Sequence, residues 1–171
     1  GVKVTAVAKD GAGVSVTIDG AGGTRQIAGS HLLVAVGRAP NVGNLGLDDA
    51  GIAYSPKGIN VDARLRTSNK RVFAIGDIAG GYQFTHVAGY HAGIVIRNAL
   101  FRLPAKADHS AVPWVTYSDP ELANVGLTEA AAQKSGLEHK VLRAEFKEND
   151  RARAERVTEG FVKVIAGRRG R

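Results

Sequence analysis

The stretch Thr67–His86, TSNKRVFAIGDIAGGYQFTH, constrains the fold more than any other part of the chain. Its apolar run from Arg71 to Ile75 predicts a short strand. The strand stops at Gly76-Asp77, passes through a small-residue loop at 78–81, and feeds a helix that opens near Phe84. A strand that ends in Gly-Asp and leads into a helix suits the carboxyl edge of an open α/β sheet, where ligands bind in the crevice. A glycine at that point lets a ligand approach the backbone closely. A carboxylate beside it offers acceptors suited to sugar or polyol hydroxyls, and the N–H groups at a helix start favour negative charge on a ligand. The same dipeptide also suits a plain strand-ending turn, and this stretch alone leaves both readings open.

A second apolar run, His31–Val36, predicts a strand buried on both faces. It ends in Gly37-Arg38-Ala39-Pro40-Asn41, where Pro40 keeps Ala39 extended. The segments 32–41 (LLVAVGRAPN) and 67–86, in that order, together with 114–129 (WVTYSDPELANVGLTE), closely resemble the flavoprotein pyridine nucleotide-disulfide oxidoreductases, the family of dihydrolipoamide dehydrogenase, glutathione reductase and mercuric reductase. The resemblance implies that Thr67 to Asp77 is the second FAD motif, T-x(6)-apolar-x-GD, with Asp77 on a ribityl hydroxyl and Gly76 beside it. It implies that the segment after it, Gln83, Phe84, Thr85 and His86, reaches the isoalloxazine edge. The family presents a Leu-Ala-His type of segment there. Phe84-Thr85-His86 departs from it, which keeps backbone contacts and leaves the roles of these side chains open. Gly37 is implied to lie beside NAD(P), and Arg38 to anchor the crossover between domains.

In chain order, alternation at 2–8 and 14–18, a turn at Asp10-Gly11, a second at 19–23 and a strand at 24–27 predict a three-stranded antiparallel meander. Its glycines have no strand-to-helix context and are not a phosphate loop. Residues 44–66 read as a connector pinned by Leu45, Leu47, Ile52 and Ile59, with a turn at 55–58 and a short strand at 59–65. The helix from Phe84 to Arg102 carries Val87, Ala88, His91, Ile94, Val95 and Asn98 on one stripe. Gly89 and Gly93 on a neighbouring line predict close packing against a backbone or a cofactor. Strands at 112–117, 141–146 and 160–166, and a helix capped by Thr128 and ended by Gly136, complete the chain. Trp114 and Tyr117 read as core or interface residues, and Arg151, Arg153 and Arg156 as a solvated helical face with Glu155 and Glu159. The fold class expected is α/β plus α+β: fragments of two Rossmann-like nucleotide-binding domains followed by part of an antiparallel-sheet dimerisation domain. Residues 1–41 would end the NAD(P)-binding domain with the meander and its final strand, 42–106 would return to the FAD-binding domain, and 110–171 would open the interface domain.

The sequence contains no cysteine. That excludes disulfides and thiolate metal sites, and with them the redox Cys pair of the resembled family. His86 and His91 stand five apart without an accompanying Glu, unlike the spacing of a zinc helix, so no metal site is expected. The net charge of +7 is spread, with concentrations at 70–71, 151–156 and 168–171 but no basic stripe interleaved with aromatics, so nucleic acid is not an expected partner. No apolar run approaches the roughly 20 residues of a membrane span. Neither Gly-rich nucleotide fingerprint and no His-Pro catalytic segment occurs, so no residue here is a candidate catalytic group. With no apolar run of membrane length, and no long apolar signal core at residues 1–10, a soluble cytoplasmic protein is expected. The resemblance implies a homodimeric, FAD- and NAD(P)H-dependent oxidoreductase, passing hydride to flavin and electrons on to a disulfide, metal ion or other acceptor. The chain reads as an internal to C-terminal fragment of it, inert alone and prone to self-association. The alternative is a non-enzymatic dimerisation or assembly module.

Overall fold

The structure, a computed structural model, describes residues 1–168 and 170. Of the basic cluster at 168–171, Arg169 and Arg171 lie outside the described residues. The chain divides into two units, Gly1–Arg38 and Ala39–Arg171.

The first unit is the meander. Strands β1 (Lys3–Asp10), β2 (Gly13–Gly20) and β3 (Gly23–Gly29) pair antiparallel in the order β1-β2-β3. Asp10 faces Gly13 and Gly20 faces Gly23, so each connection is a two-residue hairpin turn. Gly11 takes φ +57, the left-handed angle that such turns require. A register shift between Val4 and Ala6 interrupts the alternation read from β1.

The apolar run at 31–36 is not a strand. It has no regular structure, and Leu33, Val34 and Val36 are 87%, 70% and 94% exposed. The physical reason is that a buried strand needs neighbours on both edges for its N–H and C=O groups. No described strand pairs with this one. The final strand expected for residues 1–41 is therefore absent as an element.

In the second unit, a two-residue hairpin joins β4 (Tyr54–Ser55) and β5 (Gly58–Ile59) around Pro56-Lys57. The strand expected at 59–65 shrinks to β5. The strand expected at 71–75 shrinks to a single antiparallel bridge, Arg66 with Phe73, held by Thr67 N–H to Val72 C=O at 3.0 Å and Ala74 N–H to Leu65 C=O at 3.1 Å. Leu47, Ile52, Ile59 and Ala74 form the buried core here, with Val61, Val72 and Ile78 packed on it. Of the four pins read from the connector, Leu47, Ile52 and Ile59 are buried, each burial stabilising by about 1.5–3 kcal/mol before the cost of chain ordering, while Leu45 is exposed.

Helix α1 (Thr85–Ala99) buries Val87, His91, Ile94 and Asn98 of the predicted stripe and half-buries its Ala88 and Val95. It ends three residues before the expected Arg102, which takes φ +54 beyond it. A Cβ added at Gly89 or Gly93 would meet nothing within 4 Å, so the close packing expected of them is not made among the described residues.

Beyond Ser110, β6 (Trp114–Thr116) pairs with β7 (Leu122–Asn124), and β8 (His139–Glu145) pairs with β9 (Phe161–Gly167), all antiparallel. Helix α2 (Glu129–Lys134) lies between the pairs in sequence. The Thr128 Oγ1 accepts the Ala131 N–H at 3.2 Å, the bond expected of an N-cap. Thr128→Ala is expected to cost about 1 kcal/mol of stability, read as a shift in the denaturation midpoint without a change of slope; Thr128→Ser should restore most of it. Helix α3 (Asp150–Glu155) pairs Arg151 with Glu155. The face predicted for it is shorter than expected, because Arg156 adopts φ 59 and ends the helix before Glu159.

Candidate functional site

The second unit brings the Gly76-Asp77 corner, the start of α1 and the β4–β5 hairpin together. Ile75 is extended, and Gly76 turns the chain at φ +67 into a 3-10 turn that runs to Ala79. Gly76 is buried, and a Cβ there would lie 2.9 Å from the Ala88 Cβ, so only glycine lets the corner sit on α1. Two more glycines stack backbone on backbone. A Cβ at Gly58 would lie 2.6 Å from the Ile78 O and 2.9 Å from the Gly80 N, and one at Gly80 would lie 2.8 Å from the Lys57 O. The hairpin thus props the turn from behind, and the Gly80 N–H closes it on the Asp77 C=O at 3.1 Å.

Asp77 itself is exposed, and no hydrogen bond among the described residues uses its carboxylate. Its acceptor sites are therefore available to hydroxyl donors. Phe84 is the N-cap of α1 in extended conformation and makes no side-chain cap bond, and the first turn holds no acidic residue. The Val87 and Ala88 N–H groups bond the Phe84 C=O, and the N–H groups of Thr85 and His86 ahead of them remain available to an anionic or carbonyl group. Carboxylate, bare glycine and uncapped helix start are a donor and acceptor set that fits a polyol bearing a negative group.

The segment expected beside the corner is there. Tyr82, Phe84 and His86 carry their rings in series, with Phe84 and His86 stacked at 5.3 Å. The His86 Nε2 donates to the Pro113 C=O at 2.8 Å, which ties the start of α1 to the approach to β6. Its side chain is engaged within the chain. Gln83 is half-buried beside them. Gly37, the residue expected to meet NAD(P), belongs to the first unit. Its φ of +143 requires glycine, and a Cβ there would meet nothing within 4 Å.

Two histidines were missed as site residues. The sequence reading puts His91 on the helical stripe and rejects it, with His86, as a metal pair; in the structure its Nδ1 accepts the Gly76 N–H at 3.1 Å, and its Nε2 lies 2.7 Å from the His109 Nε2. Burial first, and the facing His109 second, push the His91 pKa below the ordinary histidine range. The signal in the sequence was a polar ring within an apolar stripe, which must find partners. Both rings line a cleft of about 290 Å³ with Leu65, Gly80 and Tyr82. Among the described residues, no group of three or more His, Cys, Asp or Glu could hold a metal ion.

The family model described as pyridine nucleotide-disulphide oxidoreductase matches residues 1–92, and the dimerisation domain of the same family matches residues 112–171. A mercuric reductase from Streptomyces lividans is 38% identical over 167 residues, covering 97% of this chain and 35% of that protein. A dihydrolipoyl dehydrogenase from Geobacillus stearothermophilus is 41% identical over 154 residues, covering 90% of this chain and 33% of that protein. Among solved structures, the HOCl-induced flavoprotein disulfide reductase RclA from Escherichia coli aligns with a TM-score of 0.83 at 31% identity, covering 98% of this chain and 38% of that one. The chain therefore spans about a third of the length of the curated relatives it matches.

Proposed function

The chain belongs to the pyridine nucleotide-disulphide oxidoreductase family, and from that premise we propose that it supplies the flavin-holding corner and the dimer-forming region of an FAD- and NAD(P)H-dependent oxidoreductase. The single observation that carries the reading is the corner itself. An exposed Asp77 with open acceptors is presented by a buried Gly76 at the mouth of an uncapped helix.

When bound, the flavin would supply the hydride-accepting chemistry. The residues here bind and orient. Asp77 would accept ribityl hydroxyl hydrogen bonds, and Gly76 would let the polyol lie against the backbone. The backbone of Gln83, Phe84, Thr85 and His86 would face the ring edge, with the chain held by His86 on Pro113. Gly37 is assigned to the nicotinamide dinucleotide on the family resemblance of its segment, and its φ of +143 suits glycine there. With no cysteine in the sequence, these residues carry no disulfide exchange, and the step to the acceptor belongs to other groups. Residues 1–41, 42–106 and 110–171 are assigned to the NAD(P), FAD and interface domains. Homodimerisation is supported by the matched dimerisation domain and by β8 and β9, whose Leu142, Val162 and Val164 are at least half exposed.

Asp77→Ala in the flavin-binding protein tests the reading. A charge-assisted hydrogen bond is worth roughly 1.5–3 kcal/mol, so FAD affinity is expected to fall about tenfold to hundredfold. Titration of FAD into apo-protein well below the melting temperature measures it. Unchanged affinity with a lowered melting point would instead make Asp77 a turn residue only.

A further inference from the structure

His91 is 2% exposed, and a buried imidazole must place both ring nitrogens. Its Nδ1 accepts from the Gly76 N–H. A ring nitrogen that accepts is unprotonated, so the neutral ring carries its proton on Nε2. That Nε2 faces the His109 Nε2 at 2.7 Å and donates to it. His109 therefore accepts at Nε2 and keeps its own proton on Nδ1. The reverse direction would make His91 accept at both nitrogens, which a neutral imidazole cannot do. One backbone donor thus sets the tautomer of two side chains.

His109 ends a strap, residues 103–109, that runs from α1 toward β6. Asn98 holds the strap at Ala105 through its Nδ2 on the Ala105 C=O at 2.8 Å and its Oδ1 on the Ala105 N–H at 3.4 Å. The Ala107 N–H donates to the Ala63 C=O at 2.7 Å, and the Asp108 N–H to the Tyr90 hydroxyl at 2.8 Å. Of these fastenings, only the histidine pair reaches the Gly76 backbone.

We propose that His91 and His109 are positioning residues, a neutral, one-directional hydrogen-bond pair that locks the Gly76-Asp77 corner to the strap and opens when either ring takes a proton. Its structural consequence stands on the hydrogen bonds; its functional consequence rests on the flavin-site reading of the corner. A proton on the His91 Nδ1 would set N–H against the Gly76 N–H. A proton on the His109 Nε2 would set two N–H groups head to head. Either ends the contact. The titratable groups around the pair are Tyr90 from α1, edge-on to His109 at 6.2 Å, Asp108 from the strap, and Tyr82 from the loop after the corner. Val61 and Leu65, which close the cleft from the preceding loop, are uncharged. The Ser110 N–H holds the Asp108 carboxyl below its usual range, so Asp108 is the anion beside His109 when that ring is released.

The sign follows from the lowered His91 value. An unfolded or opened His91 takes up a proton near pH 6.5, which the closed form refuses. The lock is complete above about pH 6.5 and is lost as the pH falls from there through the lowered closed-state value; each unit in that window costs up to about tenfold in the closed-to-open ratio.

Long-range proton–nitrogen correlation spectra of the histidine rings, with amide exchange of Gly76 and Asp108, test this. Above about pH 7, the expected result is an Nε2–H tautomer for His91 and an Nδ1–H tautomer for His109. On acidification, the His91 ring should charge as the two amides lose protection together. His109→Phe, at an exposed position, should loosen Asp108 at every pH and remove the acid step there. His91→Asn, which keeps an acceptor near the Nδ1 position, should preserve protection at Gly76 and lose it at Asp108. An Nδ1–H tautomer for His91, or an acid step at Asp108 that survives in His109→Phe, overturns the proposal. In the flavin-loaded protein, retention should fall at least tenfold across the same acid window. Absence of any flavin binding at neutral pH would overturn the flavin-site reading and leave the lock to the tautomers; retention unchanged across the window, with the tautomers as expected, would overturn the lock's effect on the corner.

Discussion

Gly58→Ala is expected to lower stability by roughly 2–6 kcal/mol. The residue sits at φ +127, where a non-glycine residue costs about 1–3 kcal/mol. Its new Cβ would also press on the Ile78 carbonyl oxygen and the Gly80 nitrogen, and forced overpacking adds about 1–3 kcal/mol. Both neighbours are backbone, so no side chain can swing aside. Gly81→Ala is the control. Its φ is +76 but a Cβ there meets nothing within 4 Å, so only the left-handed cost of roughly 1–2 kcal/mol applies. Denaturant unfolding of the two variants should separate them clearly. Equal losses would mean that the backbone stack behind the corner carries no strain, and the account of why two glycines face each other there would fail.

Leu65→Ala is expected to cost about 2–5 kcal/mol. Leu65 is 2% exposed and adopts φ 64, an angle that leucine takes only when the surroundings enforce it. Asp62 enforces it. The Asp62 carboxylate accepts the Arg64 and Arg66 N–H groups at 2.8 and 3.0 Å, and its C=O accepts the Leu65 N–H at 2.8 Å. The Arg66 N–H contributes most to holding the Asp62 carboxyl below its usual range. Leu65→Gly then offers a sharper comparison. Glycine loses one more methyl group than alanine but relieves the left-handed angle, and each term is about 1 kcal/mol. Glycine and alanine at this position should be nearly equal in stability, although glycine is normally the worse. A glycine variant much less stable than the alanine variant would show that the bend costs leucine nothing.

The sequence was most legible where structure is local. The hairpin turn at Asp10-Gly11, the cap at Thr128 and the buried stripe of α1 each depend on residues within a few positions of one another, and all three stand as expected. The runs 31–36 and 71–75 misled because β-propensity describes only one edge of a pairing. The partner is supplied by distant chain, and among the described residues it is missing or reduced to one bridge. The site was legible by chemistry and opaque by packing. Gly76 and Asp77 announce themselves after an apolar run. Nothing near Gly58 announces that Gly80 will lie against it, and nothing in positions 91 and 109 announces that the two rings will meet, since both depend on where the backbone returns.

The strap has a consequence for anyone who recombines these modules. The two family matches leave residues 93–111 between them, which reads like a free junction for grafting one relative's interface domain onto another's flavin domain. It is a seam instead: Tyr90, His91 and Asn98 stand on one side of the stitches, and Ala105, Asp108 and His109 on the other. A chimaera cut inside it would pair one parent's needle with the other parent's cloth. Exchange is better made between His109 and Val112, with the helix and its strap inherited together.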